Sequence, residues 1–388
     1  MLNFIHDIPT KVYFGKGQIS HLAEALAPYG KNVLLAYGGG SIKKTGLYHQ
    51  VMQILNQAGC RVTELQGIAP NPRIESVREG VALCREKAID VILAVGGGSV
   101  IDCAKAVAAA FYYPGDPWDM ILKRDGDGRA LPLVDILTIS ATGSEYDPMG
   151  VISHLEQQEK IGSVFCYPAV SICDPSYTFS VSAYQTAAGS ADIMSHIFEG
   201  YFSKTEDSDL FEGIAETVLR SVMKNAPLAI REPENYSARA NLMANSSIAC
   251  SGIPEYGKMG TGWPCHAMEH QLSAYYDITH GVGLAILTPR WMRHILAKDP
   301  SVTPRFARFA RRVMGLSGED EAALAKAGID ALEAYFVSTG IPMTLGAVGI
   351  GREHFAAMAV KACRGGRLSD SFVPLEEADV EAIFEACL

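Results

Sequence analysis

The sequence has no CxxC pair, no G-x-G-x-x-G, no apolar run of membrane-spanning length and no excess of basic charge. Each absence excludes something. The nine cysteines, at positions 60, 84, 103, 166, 173, 250, 265, 363 and 387, are scattered and odd in number. They read as reduced thiols of a cytosolic protein, not as a disulfide framework. A formal net charge of −10 argues against a nucleic-acid binder, which shows a basic face. Val91–Phe111 comes nearest to a membrane span, but Asp102, Lys105 and three glycines interrupt it. The opening MLNFIHDIPT has no basic region followed by an apolar run, so no signal peptide is expected. A cytoplasmic protein with neither membrane nor nucleic-acid partner is the expectation. At 388 residues, close to half of them hydrophobic, the chain should form two domains.

What is present divides near residue 181. Before it, short β-type runs alternate with helical patterns: KVYFG (11–15), VLLAY (33–37), RVTEL (61–65), VILAV (91–95), LVDILTI (133–139) and AVSIC (169–173). Amphipathic stretches such as Thr45–Ala58 and Ile74–Lys87 lie between them. Alternation of this kind predicts a parallel sheet, and runs apolar throughout suit strands covered on both faces. Ser182 followed by Gln185 makes a capping box that opens a helix, and no convincing strand follows. The expected architecture is a Rossmann-like α/β domain over 1–181 and an all-α domain over 182–388.

Two stretches, VLLAYGGGSIKK (33–44) and VILAVGGGSVIDCAK (91–105), run a strand straight into three glycines and a serine. A strand–GGGS–helix turn places bare amides at a helix N-terminus, where a phosphate is favoured. Gly96, Gly97 and Gly98, with the Ser99 hydroxyl, thus become candidates to hold a pyrophosphate. A tight structural turn is the plain alternative. The first loop, Gly38, Gly39, Gly40 and Ser41, holds no carboxylate and is followed by Lys43 and Lys44. If it meets an adenosine ribose, it suits a 2′-phosphate better than a hydroxyl. Otherwise the lysines are a solvated helix start.

In the helical half, Asp192 and His196 are spaced i, i+4, as are His266 and His270, and His280 opens the next helix. Asp and His donors suit Fe²⁺ or Zn²⁺. One such pair alone is more often a surface hydrogen bond. Cys265 is an unsuitable ligand, since it points about 100° around the helix from His266.

Assembled, these residues resemble the iron-dependent (group III) alcohol dehydrogenases, and within them the branch of NADP(H)-dependent butanol dehydrogenases and broad aldehyde reductases. FGKG (14–17), YGGGSIKKTG (37–46), PNP (70–72), VGGGSVIDCAK (95–105), TGSE (142–145), D-x-x-x-H (192–196) and H-x-x-x-H…HG (266–281) stand in the family's order. The resemblance implies metal ligands Asp192, His196, His266 and His280, with His270 nearby as candidate proton mover. It implies Gly97, Gly98 and Ser99 at the pyrophosphate, Asp102 near the nicotinamide ribose, Thr138 and Thr142 lining the cofactor cleft, and Lys160 at a ribose. NAD-using relatives tend to carry an aspartate where Gly40 stands, so NADP(H) is expected. The activity implied is hydride transfer between NADP(H) and a primary alcohol or aldehyde, by a homodimer carrying one divalent ion. The rival readings are a glycerol dehydrogenase-like polyol oxidoreductase and a non-catalytic nucleotide-binding protein. Two departures stand out: Ile193, Met194 and Ser195 change the packing between the first ligands, and Tyr146-Asp147-Pro148 follows TGSE where small residues are commoner.

Overall fold

The computed structural model describes residues 1–388. Its strands are β1 (Lys11–Phe14), β2 (Asn32–Tyr37), β3 (Arg61–Leu65), β4 (Val91–Gly96), β5 (Leu133–Leu137), β6 (Met149–His154), β7 (Glu159–Val164) and β8 (Val170–Cys173). Six form one sheet in the order β1-β8-β5-β4-β2-β3, with every pairing parallel. The apolar runs read from the sequence all lie in it. Along β2 and β4 alternate residues enter two different cores, Leu35 and Leu93 one, Leu34 and Ile92 the other, all fully buried. Double-sided burial is why these strands are apolar at every position rather than at every second one.

The strand order explains the doubled glycine motif. β2 continues to β3 on one side, whereas β4 continues to β5 on the other. Winding therefore reverses between β2 and β4, which are neighbours with Tyr37 level with Val95. Both GGGS loops leave the carboxyl ends of these two strands, the switch point where open α/β sheets bind ligands.

The hairpin of β6 and β7 was not anticipated from the sequence. Its polarity is mixed, and its turn reverses through Gln158 at φ 52 rather than through Asn-Gly or Asp-Gly. Tertiary contacts hold it. Lys105, fully buried on the helix Gly98–Ala110, donates through Nζ to Asp147 Oδ1 (3.0 Å) and to the Met149 carbonyl (2.7 Å). Asp147, the acidic residue after TGSE, is thus the counter-charge of a buried lysine.

The chain forms two compact units. One comprises Asp7–Val181 together with Pro233–Ser247, and the other Met1–His6, Ser182–Glu232 and Ile248–Leu388. Residues 233–247, which sequence patterning places with the helical half, instead serve the sheet unit. Ser246 Oγ accepts from the Gly143 amide (3.2 Å), Ser247 Oγ donates to Glu145 Oε1 (2.6 Å), and Met243 is buried in the core beneath the sheet. The other unit is helical. Ser182 Oγ caps the helix Ala183–Tyr201 by accepting from the Gln185 amide (3.2 Å). The helix Asp209–Arg231 runs through Pro227 without ending there.

Candidate active site

At the end of β4 the glycines are required first by the protein's own packing. A Cβ on Gly97 would lie 2.2 Å from Ile139 Cγ2, and one on Gly98 would lie 2.2 Å from Thr142 Oγ1. Of the two readings of this loop, a phosphate cradle or a tight structural turn, the second is thus sufficient to keep Gly98 bare, because Thr142 already excludes a side chain there. Gly98 and Ser99 open the helix Gly98–Ala110, so their amides have no partner within it. Ser99, Thr138 and Thr142 are half-buried, and the first two follow adjacent strands.

Asp102 sits one turn into that helix and is 8 % exposed. Its oxygens accept from Ser144 Oγ (2.6 Å) and from the Val151 amide (2.9 Å), which ties the helix to TGSE and to β6. Burial pushes its carboxyl up to about 6. Lys160 lies on β7, 6 % exposed and opposite Ser153.

At the end of β2 the constraint is conformational. Gly40 has φ 100, and nothing stands within 4 Å of where its Cβ would be. Lys43 Nζ lies 4.9 Å from the ring centres of both Tyr37 and Tyr48. Those two phenols donate to opposite oxygens of Glu64, on neighbouring β3, Tyr48 at 2.9 Å. The loop itself lacks a carboxylate, but its neighbourhood does not.

In the helical unit, Asp192, His196 and Glu199 follow one another on successive turns of Ala183–Tyr201, all buried. Pro264–Tyr276 presents His266, Glu269 and His270, and His280 is the first residue of His280–Lys298. Nε2 of His196 is 3.6 Å, of His266 3.9 Å and of His280 3.6 Å from the single oxygen Asp192 Oδ1. A tetrahedral site with bonds of about 2.1 Å has edges of about 3.4 Å; Asp192, His196 and His266 offer donor atoms all within 4.8 Å of one another, and His280 adjoins them through Asp192 Oδ1. Asp192 Oδ1 and His266 Nε2 are buried without a hydrogen-bond partner, a costly state that a metal ion would relieve. Burial drives His196 down to about 3, which keeps its imidazole neutral and able to donate a lone pair.

Two neighbours stay apart from this group. Cys265 Sγ faces Thr288 Oγ1 at 3.9 Å, and burial pushes its thiol well up. His270 lies beside His280, ring centres 5.8 Å apart, and these two with Glu269 form a second group of donors next to that of Asp192, His196 and His266.

Sequence reasoning missed several contributors. Glu199 accepts from the His266 amide and contacts its Nδ1, each at 2.9 Å, and Glu269 is bonded to His280 Nδ1. Both stand three residues from a histidine, a spacing that could have flagged them. Trp263, in a left-handed conformation at φ 54, lays its indole 4.9 Å from the His266 ring and 5.7 Å from that of His196. No local pattern announces it.

Comparison with known proteins identifies the family. Residues 9–175 match the family described as iron-containing alcohol dehydrogenase, and residues 186–388 match the C-terminal region of the same Fe-containing family. The NADH-dependent butanol dehydrogenase A of Clostridium acetobutylicum is 47% identical over 390 residues, covering 99% of both chains. The NADPH-dependent aldehyde reductase YqhD of Escherichia coli is 35% identical, covering 93% of both. Among solved structures, NADH-dependent butanol dehydrogenase A of Thermotoga maritima superposes with a TM-score of 0.94 at 39% identity, over 100% of this chain and 99% of that one. The chain belongs to the iron-containing alcohol dehydrogenase family, as an oxidoreductase of the alcohol dehydrogenase and aldehyde reductase type.

Proposed function

We propose that this enzyme transfers a hydride between NADP(H) and a primary alcohol or aldehyde, with Asp192, His196, His266 and His280 holding one Fe²⁺ or Zn²⁺. The observation that carries this reading is the convergence of three imidazole nitrogens within 3.6–3.9 Å of Asp192 Oδ1. When bound, the ion supplies a Lewis acid for the substrate oxygen and the nicotinamide supplies the hydride. The chain's own residues do the rest. Gly97, Gly98 and Ser99 offer amides and a hydroxyl to the pyrophosphate, Gly38 to Ser41 meet the adenosine ribose, and Asp102, Thr138, Thr142 and Lys160 border the cofactor. His270, next to His280, moves the proton, directly or through a water. A cytoplasmic homodimer belongs to the same reading.

The preference for NADP(H) rests on Gly40, where no carboxylate stands to repel a 2′-phosphate, and on Lys43 close by. A second reading, NADH, has its own support. Four relatives at 44–47% identity carry NADH-dependent names, and Glu64 pairs with the tyrosines that Lys43 leans on. Butyraldehyde reduction by metal-loaded protein decides between them. NADPH should give the higher kcat/KM, and Gly40→Asp should lower the NADPH/NADH ratio about tenfold or more, because its carboxylate repels a 2′-phosphate while the strain of a side chain at φ 100 weighs on both cofactors alike. A higher kcat/KM with NADH in the wild type rejects the NADP(H) reading.

A further inference from the structure

We propose that Glu199 and Glu269 are positioning residues of the metal centre, each holding one ligand, His266 or His280, in the Nδ1–H tautomer so that Nε2 faces the ion. The inference rests on the ligand set given above and extends it outward.

The two carboxylates are built into the protein for this contact. Glu199 is 2 % exposed, and its Oε1 accepts both the His266 amide (2.9 Å) and Nδ1 of the same residue (2.9 Å). One oxygen thus fixes the backbone and the ring of a single ligand. An ionised carboxylate only accepts, so Nδ1 carries the hydrogen and Nε2 keeps its lone pair. That Nε2 is the buried, unpartnered atom 3.9 Å from Asp192 Oδ1. Glu269 is fully buried, with one oxygen bonded to His280 Nδ1 and the other accepting from Ser273 Oγ. Space for it comes from the facing helix, where a Cβ on Gly283 would lie 2.8 Å from Glu269 Cγ. His280 Nε2 then points to Asp192 Oδ1 at 3.6 Å.

His196 is oriented differently. Its Nδ1 is buried without a hydrogen-bond partner. Instead the ring stacks on His266, centres 4.8 Å apart and planes 17° apart, with Trp263 against its side. Two imidazoles are held by carboxylates and one by aromatic packing. A carboxylate behind an imidazole orients it and raises its basicity, which strengthens its bond to a cation.

The test measures Zn²⁺ affinity of metal-stripped protein by competition with a chromophoric chelator, and the visible bands of the Co²⁺-loaded form. Glu199→Gln and Glu269→Gln should each bind about 10- to 100-fold more weakly and shift the Co²⁺ bands, with far-ultraviolet circular dichroism unchanged. A loss of less than about threefold in either variant overturns the role of that residue. If Glu269→Gln does not fold, Gly283→Ala decides instead, since it displaces the Glu269 side chain and leaves every ligand in place. His266→Ala separates the two layers of the argument. If it binds Zn²⁺ as tightly as wild type, the ligand assignment itself falls, whatever the glutamate variants show.

Discussion

A single methyl group at Gly98 should cost this enzyme its cofactor. Its Cβ would arrive 2.2 Å from Thr142 Oγ1, 2.6 Å from Cγ2 and 2.9 Å from Cβ, so no rotamer of Thr142 removes the overlap. Ordinary contact begins near 3.4 Å, so even with the Thr142 branches turned away the two segments must separate by about half an ångström at this point. Overpacking of that kind costs about 1–3 kcal/mol. The strand end and the first helical turn also carry the amides proposed to meet the pyrophosphate. Moving them should forfeit at least one hydrogen bond to a charged group, worth about 1.5–3 kcal/mol. Gly98→Ala should then weaken NADPH binding about 10- to 100-fold, read by calorimetric titration of metal-loaded protein. A double-mutant cycle isolates the cause. Thr142→Gly alone should weaken binding modestly, whereas Gly98→Ala/Thr142→Gly should bind more tightly than the sum of the single losses allows, with a coupling of about 1 kcal/mol or more. Unchanged affinity in Gly98→Ala, or strict additivity in the cycle, would refute the reasoning.

Three further predictions concern Cys265, His270 and Glu145. Cys265→Ala should retain stoichiometric metal by elemental analysis, because its sulfur faces Thr288, and His270→Ala should retain metal too while kcat falls about 10²- to 10⁴-fold; loss of metal in either places that residue among the ligands. Burial raises the Glu145 carboxyl from 4.5 to about 7, against the opposing Ser247 hydrogen bond, so the folded state binds its proton more readily than the unfolded chain does. The cost of the buried charge is full above pH 7 and is lost as the pH falls towards 4.5, a gain of roughly 3 kcal/mol on acidification. Glu145→Gln should flatten this part of the urea-unfolding profile, and an unaltered pH slope in the variant removes Glu145 as its source.

The sheet was legible because double-sided burial writes itself as apolar runs, and VILAV or VLLAY can hardly be anything else in a chain that alternates with helices. The proposed metal ligands stood out as candidates because Asp192/His196 and His266/His270 are spaced i, i+4 and His280 opens the next helix, while the choice among them came from the family resemblance. The hairpin Met149–Val164 was not, since Lys105 and Asp102, some fifty residues upstream, supply what its own sequence lacks. Glu199 and Glu269 looked like ordinary acidic helix residues until folding placed an imidazole against each. Glu64 was invisible to a reading of the GGGS loop because it belongs to the next strand, and the pairing of β2 with β3 brings it there.

The return of residues 233–247 to the sheet unit has a consequence for biogenesis. During synthesis the sheet is complete once Val181 has emerged, yet Gly143 and Glu145 still lack Ser246 and Ser247, and the core lacks Met243. The last residue of the missing segment, Ser247, is 66 residues beyond Val181, so at about 5–20 residues per second it follows several seconds later. Through that interval a nascent chain leaves uncovered the apolar side chains that Met243 packs on, and leaves Glu145 without its hydroxyl. A fragment ending at Val181 stays in that condition permanently, and should remain prone to aggregation until a peptide spanning 233–247 is supplied.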